Sequence, residues 1–161
     1  MKITSLTAKL SSLFFSLLIL SSTAIADERF QIQDNGTVKD TFENLVWLQN
    51  PTLIPQLSQK LTWTEGRDAC KNLVFGDIGP DAWRLPHINE LKSIADTNFK
   101  NPTINTAYFS SFSDRYWSQT PHSPGSQAWT LNFKSTALGT YDMDNSAKPY
   151  RAYVRCVTSA Q

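Results

Sequence analysis

The groups in this sequence able to do covalent or metal chemistry are few: Cys70 and Cys156, His87 and His122, and fourteen carboxylates. A zinc centre asks for about three converging His, Cys or acidic ligands. His87 stands at the start of a helix and His122 in a proline-rich turn, positions that suit a cap and a surface residue. Oxidase chemistry of the copper and cysteine kind needs reactive thiols beyond any structural disulfide. Two cysteines allow a single intramolecular pairing, with free thiols or intermolecular bridges as the alternatives. Serines crowd at Ser110, Ser111, Ser113 and Ser118, but without the strand-turn-helix pattern of an activated nucleophile. Nothing in the spacing places two carboxylates in one apolar cleft. The sequence therefore predicts no catalytic residue, no metal set and no cofactor, and reads as a non-enzyme.

Residues suited to holding a ligand gather in the second half. Pro121–Gln127 and Ser135–Tyr150 are its least regular stretches, and binding residues tend to sit on loops carried by a rigid scaffold. Tyr141 and Tyr150 offer flat amphipathic faces to a sugar ring or an apolar side chain. Asp142, Asp144, Asn145 and Lys148 stand beside them as polar partners. The spaced oxygens of Asp142–Ser146 could reach a hard cation, but the glycine and distal glutamate of a helix-loop-helix site are missing. Solvated turn chemistry is the reading adopted for that segment. Arg67, Lys71 and Lys92 mark a second polar face.

Arg84, inside Trp83-Arg84-Leu85-Pro86, has the planar fork that takes a carboxylate or sulfate in two hydrogen bonds. The simpler assignment makes Trp83 and Leu85 core, Pro86 a helix opener and Arg84 the partner of an acid such as Glu90. Trp47, Trp63, Trp83, Trp117 and Trp129 fall at element positions expected to face inward.

The elements that must carry these residues begin after residue 26. Lys2 and Lys9, the apolar run Leu13–Leu20 and the small-residue site Ala24-Ile25-Ala26 have the order of a secretory signal peptide. Residues 1–26 are read as that signal and residues 27–161 as one domain, with no stable membrane anchor after cleavage. The signal holds two of the fifteen Lys and Arg and none of the fourteen Asp and Glu, so the remainder carries a net charge of −1. Such a balance supplies no field to draw in nucleic acid. Periplasm, cell surface or medium are the compartments open to it, all compatible with a disulfide.

Asp34-Asn35-Gly36 is a tight-turn signal between Phe30-Gln31-Ile32 and Val38, predicting a hairpin. Leu45–Leu48 reads as a strand ended by Asn50-Pro51. Thr62 through Glu65 forms a capping box for a first helix, with Gly76 as its C-terminal cap. A second helix follows Pro86, with Ile88, Leu91, Ile94 and Ala95 on one face and His87 at its N-cap. Tyr116–Gln119, Ala128–Phe133 and Ala152–Val157 read as strands. Strands, two helices, then strands predict an α+β fold with an antiparallel sheet.

Seven pieces in order carry a resemblance to a known family. They are Thr37–Asp40, Leu45-Val46-Trp47, Thr62-Trp63 with Ala69-Cys70, Trp83–Pro86, Tyr116-Trp117-Ser118, Ala128-Trp129 with Phe133, and Tyr153–Val157. Over about Phe30 to Thr158 the chain resembles the Lcl C-terminal domain family of exported bacterial proteins. That family is similar to C-type-lectin-like folds, so the resemblance implies two helices packed on a small twisted antiparallel sheet. It also implies a disulfide from Cys70 on the first helix to Cys156 on the last strand. Arg84-Leu85-Pro86 is similar as well to a segment of formylglycine-generating enzymes, which share that fold. The calcium-binding tripeptides of sugar-binding C-type lectins are missing, and Pro121–Gln127 is too short to replace their loop. The family's name-giving context implies an adhesion or binding module that recognises a glycan or an envelope or surface protein. A periplasmic structural or assembly factor with protein partners only is the alternative, and an enzyme of unknown reaction the third.

Overall fold

The computed structural model describes residues 28–112, 114–123, 125–134 and 142–160. The signal segment and Tyr141 therefore lie outside the described residues. The hairpin expected at Asp34-Asn35-Gly36 is present: β1 (Phe30–Ile32) pairs with β2 (Thr37–Asp40), Ile32 opposite Val38. Gly36 takes φ +79°, a left-handed conformation that glycine adopts without a Cβ clash. β3 (Leu45–Leu48) continues the sheet and ends where Asn50 caps a 3-10 turn, Pro51–Leu53. Its other neighbour comes from the far end of the chain, β7 (Val157–Ser159), with Leu45 opposite Ser159.

Between β3 and β7 lie both helices and a second sheet. Helix α1 (Trp63–Lys71) carries the capping box: Glu65 N–H donates to Thr62 Oγ1 and Thr62 N–H to Glu65 Oε2. The helix ends on Asn72, and Gly76, at φ +60°, packs against Asn35 in the loop beyond. The expected glycine cap is thus not used; the left-handed turn at Gly76 serves the following loop. Helix α2 (Ile88–Ser93) buries Leu91. Its first turn is held from outside by Thr120 Oγ1, which accepts from Ile88 N–H, and from within by its own Glu90, which accepts from His87 N–H.

The second sheet is three-stranded, in the order β4 (Arg115–His122), β5 (Gln127–Asn132), β6 (Asp142–Ala147). The fold is α+β with two antiparallel sheets, four- and three-stranded, rather than the one sheet expected. Two corrections account for the difference. Asp142–Ser146, expected to be a turn, is an edge strand paired with β5 from Asp142–Asn132 to Ala147–Gln127. Ala152–Cys156, expected to begin the last strand, makes only isolated bridges, Ala152 to Leu61 and Tyr153 to Tyr116. Regular pairing starts later, at Val157.

Successive strand residues point to opposite faces, and this chain buries both. Trp47, Tyr116 and Val157 enter one core with Leu91, Ile104, Phe109 and Phe133. Their neighbours Leu48, Trp117 and Cys156 enter the other, with Leu61, Leu73, Trp83 and Leu85. The Cys70–Cys156 disulfide closes a sequence separation of 86 inside that second core. Trp63 and Trp129 are only half-buried, so two of the five tryptophans stand at the surface rather than within.

Candidate binding surface

The segment after β6 folds back on the start of α1. Trp63 N–H donates to Lys148 O at 3.0 Å, and Leu61 and Ala152 exchange both backbone bonds, at 2.8 and 3.0 Å. This splice brings together side chains that are far apart in sequence. The Trp63 indole N–H donates to Ser118 O at 2.9 Å, which fixes the ring. Lys148 Nζ lies 4.4 Å from the centroid of that ring and the Arg67 guanidinium 5.3 Å from it. Cation–π attraction holds both charges over the indole. Lys148 makes no ion pair among the described residues, so its charge remains available.

Tyr150, 46% exposed, stands edge-on to buried Trp117, centroids 6.3 Å apart. Next to it Arg151 donates to Lys60 O at 3.1 Å and to Glu65 Oε1 at 3.3 Å. The Thr62 N–H and hydroxyl hold the Glu65 carboxyl below its ordinary range. Lys60 sits 2.6 Å from Asp114, whose carboxylate raises the ammonium above its usual value. The Lys60 charge also lies over the Tyr153 ring, which stacks on Phe112 at 4.3 Å. Arg151, bound to Glu65 and to Lys60 O, links the two groups into a strip of aromatic faces and cations.

The residues expected to bind are divided by this geometry. Lys148 and Tyr150 belong to the strip. Asp142 and Asp144 do not: both face Arg115 across the sheet, at 3.4 and 3.1 Å, and their charge is spent there. Asn145 sits opposite Trp129 in the β5–β6 register. Tyr141 is outside the described residues. Of Pro121–Gln127, Pro121 and His122 belong to β4 and Gln127 to β5 rather than to a loop, with His122 edge-on to Trp129 at 5.0 Å and 3.0 Å from Gln127 Oε1, while Pro124 lies outside the described residues. No group of three His, Cys, Asp or Glu among the described residues is placed to hold a metal.

Arg84 is the framework residue of the simpler assignment. Its guanidinium makes two 2.7 Å bonds to Glu90, and its backbone bridges Val157. Burial works to raise the Glu90 carboxyl, but Arg84 and His87 N–H outweigh it and hold the group below its ordinary value. Sequence reasoning missed Trp63 as a surface residue. Its available signal was the position itself: the first residue after an N-cap has one side in solvent.

No helix among the described residues is long and apolar enough to cross a membrane. No curated protein matches the chain. The model of the Lcl C-terminal domain matches residues 36–158, nearly all of the folded region. The chain belongs to the Lcl C-terminal domain family.

Proposed function

We propose that this protein is an exported, non-catalytic binding module whose Trp63–Lys148–Tyr150 strip takes a glycan. The observation that carries this reading is the pair of surface aromatics on a rigid frame, with the Lys148 ammonium, which has no ion pair among the described residues, over the Trp63 ring. Sugar rings present apolar C–H faces that pack on indole and phenol rings, and polar substituents that hydrogen-bond to cations. The Cys70–Cys156 bond and the N-terminal segment's order support export. A disulfide from the first helix to the residue before the last strand supports a C-type-lectin-like reading of the fold. Since both cysteines are joined to each other, thiol chemistry has no group to use. The strip would equally suit a surface protein, and the rival role is an assembly factor with envelope protein partners only.

Immobilised glycans, run beside a pull-down from whole envelope with the oxidised protein, separate these roles. Tyr150→Ala and Lys148→Ala should each weaken glycan capture by about fivefold or more, with the melting temperature unmoved. Capture of envelope proteins alone, unaffected by either variant, would overturn the reading.

A further inference from the structure

The four-stranded sheet is left open at one place on its outer edge. β7 meets β3 through alternate residues: Leu48 N–H donates to Cys156 O, Val46 lies opposite Thr158, and Ala160 N–H donates to Asn44 O. Antiparallel alternation turns the N–H and C=O of Val157 and Ser159 the other way. Val157 uses both of its groups, donating to Arg84 O at 2.9 Å and accepting from Arg84 N–H at 3.0 Å. The same register would set Ala82 opposite Ser159 as the next pair. That pair does not form: no backbone hydrogen bond joins the two residues. The chain bends away instead, with Asp81 N–H donating to Lys71 O at 2.7 Å. A cleft of about 280 Å³ occupies the gap, lined by Val46, Asp77, Ile78, Ala82, Thr158 and Ser159.

We infer that this cleft takes a short extended peptide, which completes the strand pairing at Ser159 and sets a basic side chain against Asp77. Outward-facing backbone groups at a sheet edge are a template for an added strand. Val46 and Ile78 give an alternate side chain an apolar seat. The volume falls just below the range of small-molecule pockets, about 300–1,000 Å³, so it suits a short segment of chain rather than a broad partner. Gly79, at the same cleft, has no atom within 4 Å of where a Cβ would stand, which leaves room for a passing backbone. Charge sets the preference. Asp81 is paired with Lys71 at 3.6 Å, whereas Asp77 has no ionic partner among the described residues. The cleft shares no residue with the Trp63–Tyr150 strip, and the inference does not depend on glycan binding there.

The test uses three blocked tripeptides, acetyl-Val-Lys-Val-amide, its analogue N-methylated at the lysine nitrogen, and acetyl-Val-Glu-Val-amide. Each is titrated into the oxidised protein and followed by amide NMR shifts. The lysine peptide should give saturable shifts at Ile78, Gly79 and Ser159. N-methylation should weaken it about tenfold, as loss of a backbone bond implies. The glutamate peptide should be about fivefold weaker than the lysine peptide, a difference that Asp77→Asn removes. Gly79→Phe, which fills open space, should block binding with the melting temperature retained. Lack of any saturable shift in the folded protein would overturn the inference, as would equal binding of the N-methylated peptide or shifts confined to other surfaces.

Discussion

Arg155 is wholly buried and makes no ion pair among the described residues. Its guanidinium instead donates to three carbonyls: Leu48 O at 2.6 Å, Gln49 O at 3.1 Å and Ser110 O. One planar side chain thereby clips the end of β3 to the loop before β4, with the Phe109 ring 5.5 Å away. Burial pulls its pKa down to about 10, still far above neutrality, so the charge persists. Arg155→Met would relieve the buried charge but strand the Leu48 and Ser110 carbonyls, Gln49 O keeping its bond from Ser110 N–H. At about 1–3 kcal/mol per unsatisfied buried group, denaturant unfolding should register a net loss of about 2–4 kcal/mol. A loss below about 0.5 kcal/mol would mean that water takes over the carbonyls. Arg84 makes a different prediction, since its partner titrates. Glu90 has a lowered folded pKa, so its ion pair contributes fully above the ordinary value of 4.5 and fades as pH falls below it. Arg84→Ala should cost about 1–2 kcal/mol at pH 7, the pair being partly exposed. Melting curves of the two proteins should converge as the pH drops below 4.5. A gap that stays constant with pH would assign the loss to packing instead.

Among the elements, α1 depends on a close approach that its sequence only hints at. Gly66 is mid-helix, where alanine is ordinarily better by about 1 kcal/mol. Here a Cβ at residue 66 would stand 2.6 Å from Val154 Cγ1. Valine is stiff at χ1 and cannot swing clear. Gly66→Ala should therefore lower the melting temperature, and adding Val154→Ala should recover part of the loss relative to Val154→Ala alone. The disulfide nearby makes a second prediction: the Cys70→Ala, Cys156→Ala protein should lose up to about 4.5 kcal/mol for so long a loop. Retained stability would place the restraint elsewhere. The hairpin, β3 and the capping box were legible in sequence because local chemistry alone selects them: Asn-Gly at the turn, an apolar run bounded by Asn-Pro, reciprocal Thr and Glu. β6 was not. Asp142–Ala147 has no apolar alternation, and its strand form is imposed by β5, with Thr130 Oγ1 donating to Asp144 O at 3.1 Å. Ala152–Cys156 failed in the opposite sense: apolar enough for a strand, it is pulled into two cores and makes single bridges on the way. The candidate strip was half legible, since Lys148 and Tyr150 could be read as polar and aromatic loop residues. Trp63 was legible only as the residue after an N-cap; its placement beside Lys148 comes from the tertiary splice.

At the scale of the molecule, the two cores are not independent. Adjacent residues in β3, in β4 and at the entry to β7 feed opposite cores, so a one-residue slip of any of these strands would exchange the side chains of both cores at once. The pairing of Leu45 with Ser159 has a further consequence, in the order of synthesis. A chain made from its N-terminus has β1 to β3 complete long before anything can cover the outer edge of β3. That edge waits for the last strand, and the disulfide waits for Cys156. Contacts this distant in sequence also make closure slow. A nascent chain stalled before Cys156 should therefore be protease-sensitive and reactive to thiol reagents at Cys70, and the chain through Gln161 neither. The domain finishes folding only when its final residues are free, which keeps the preceding chain threadable until then.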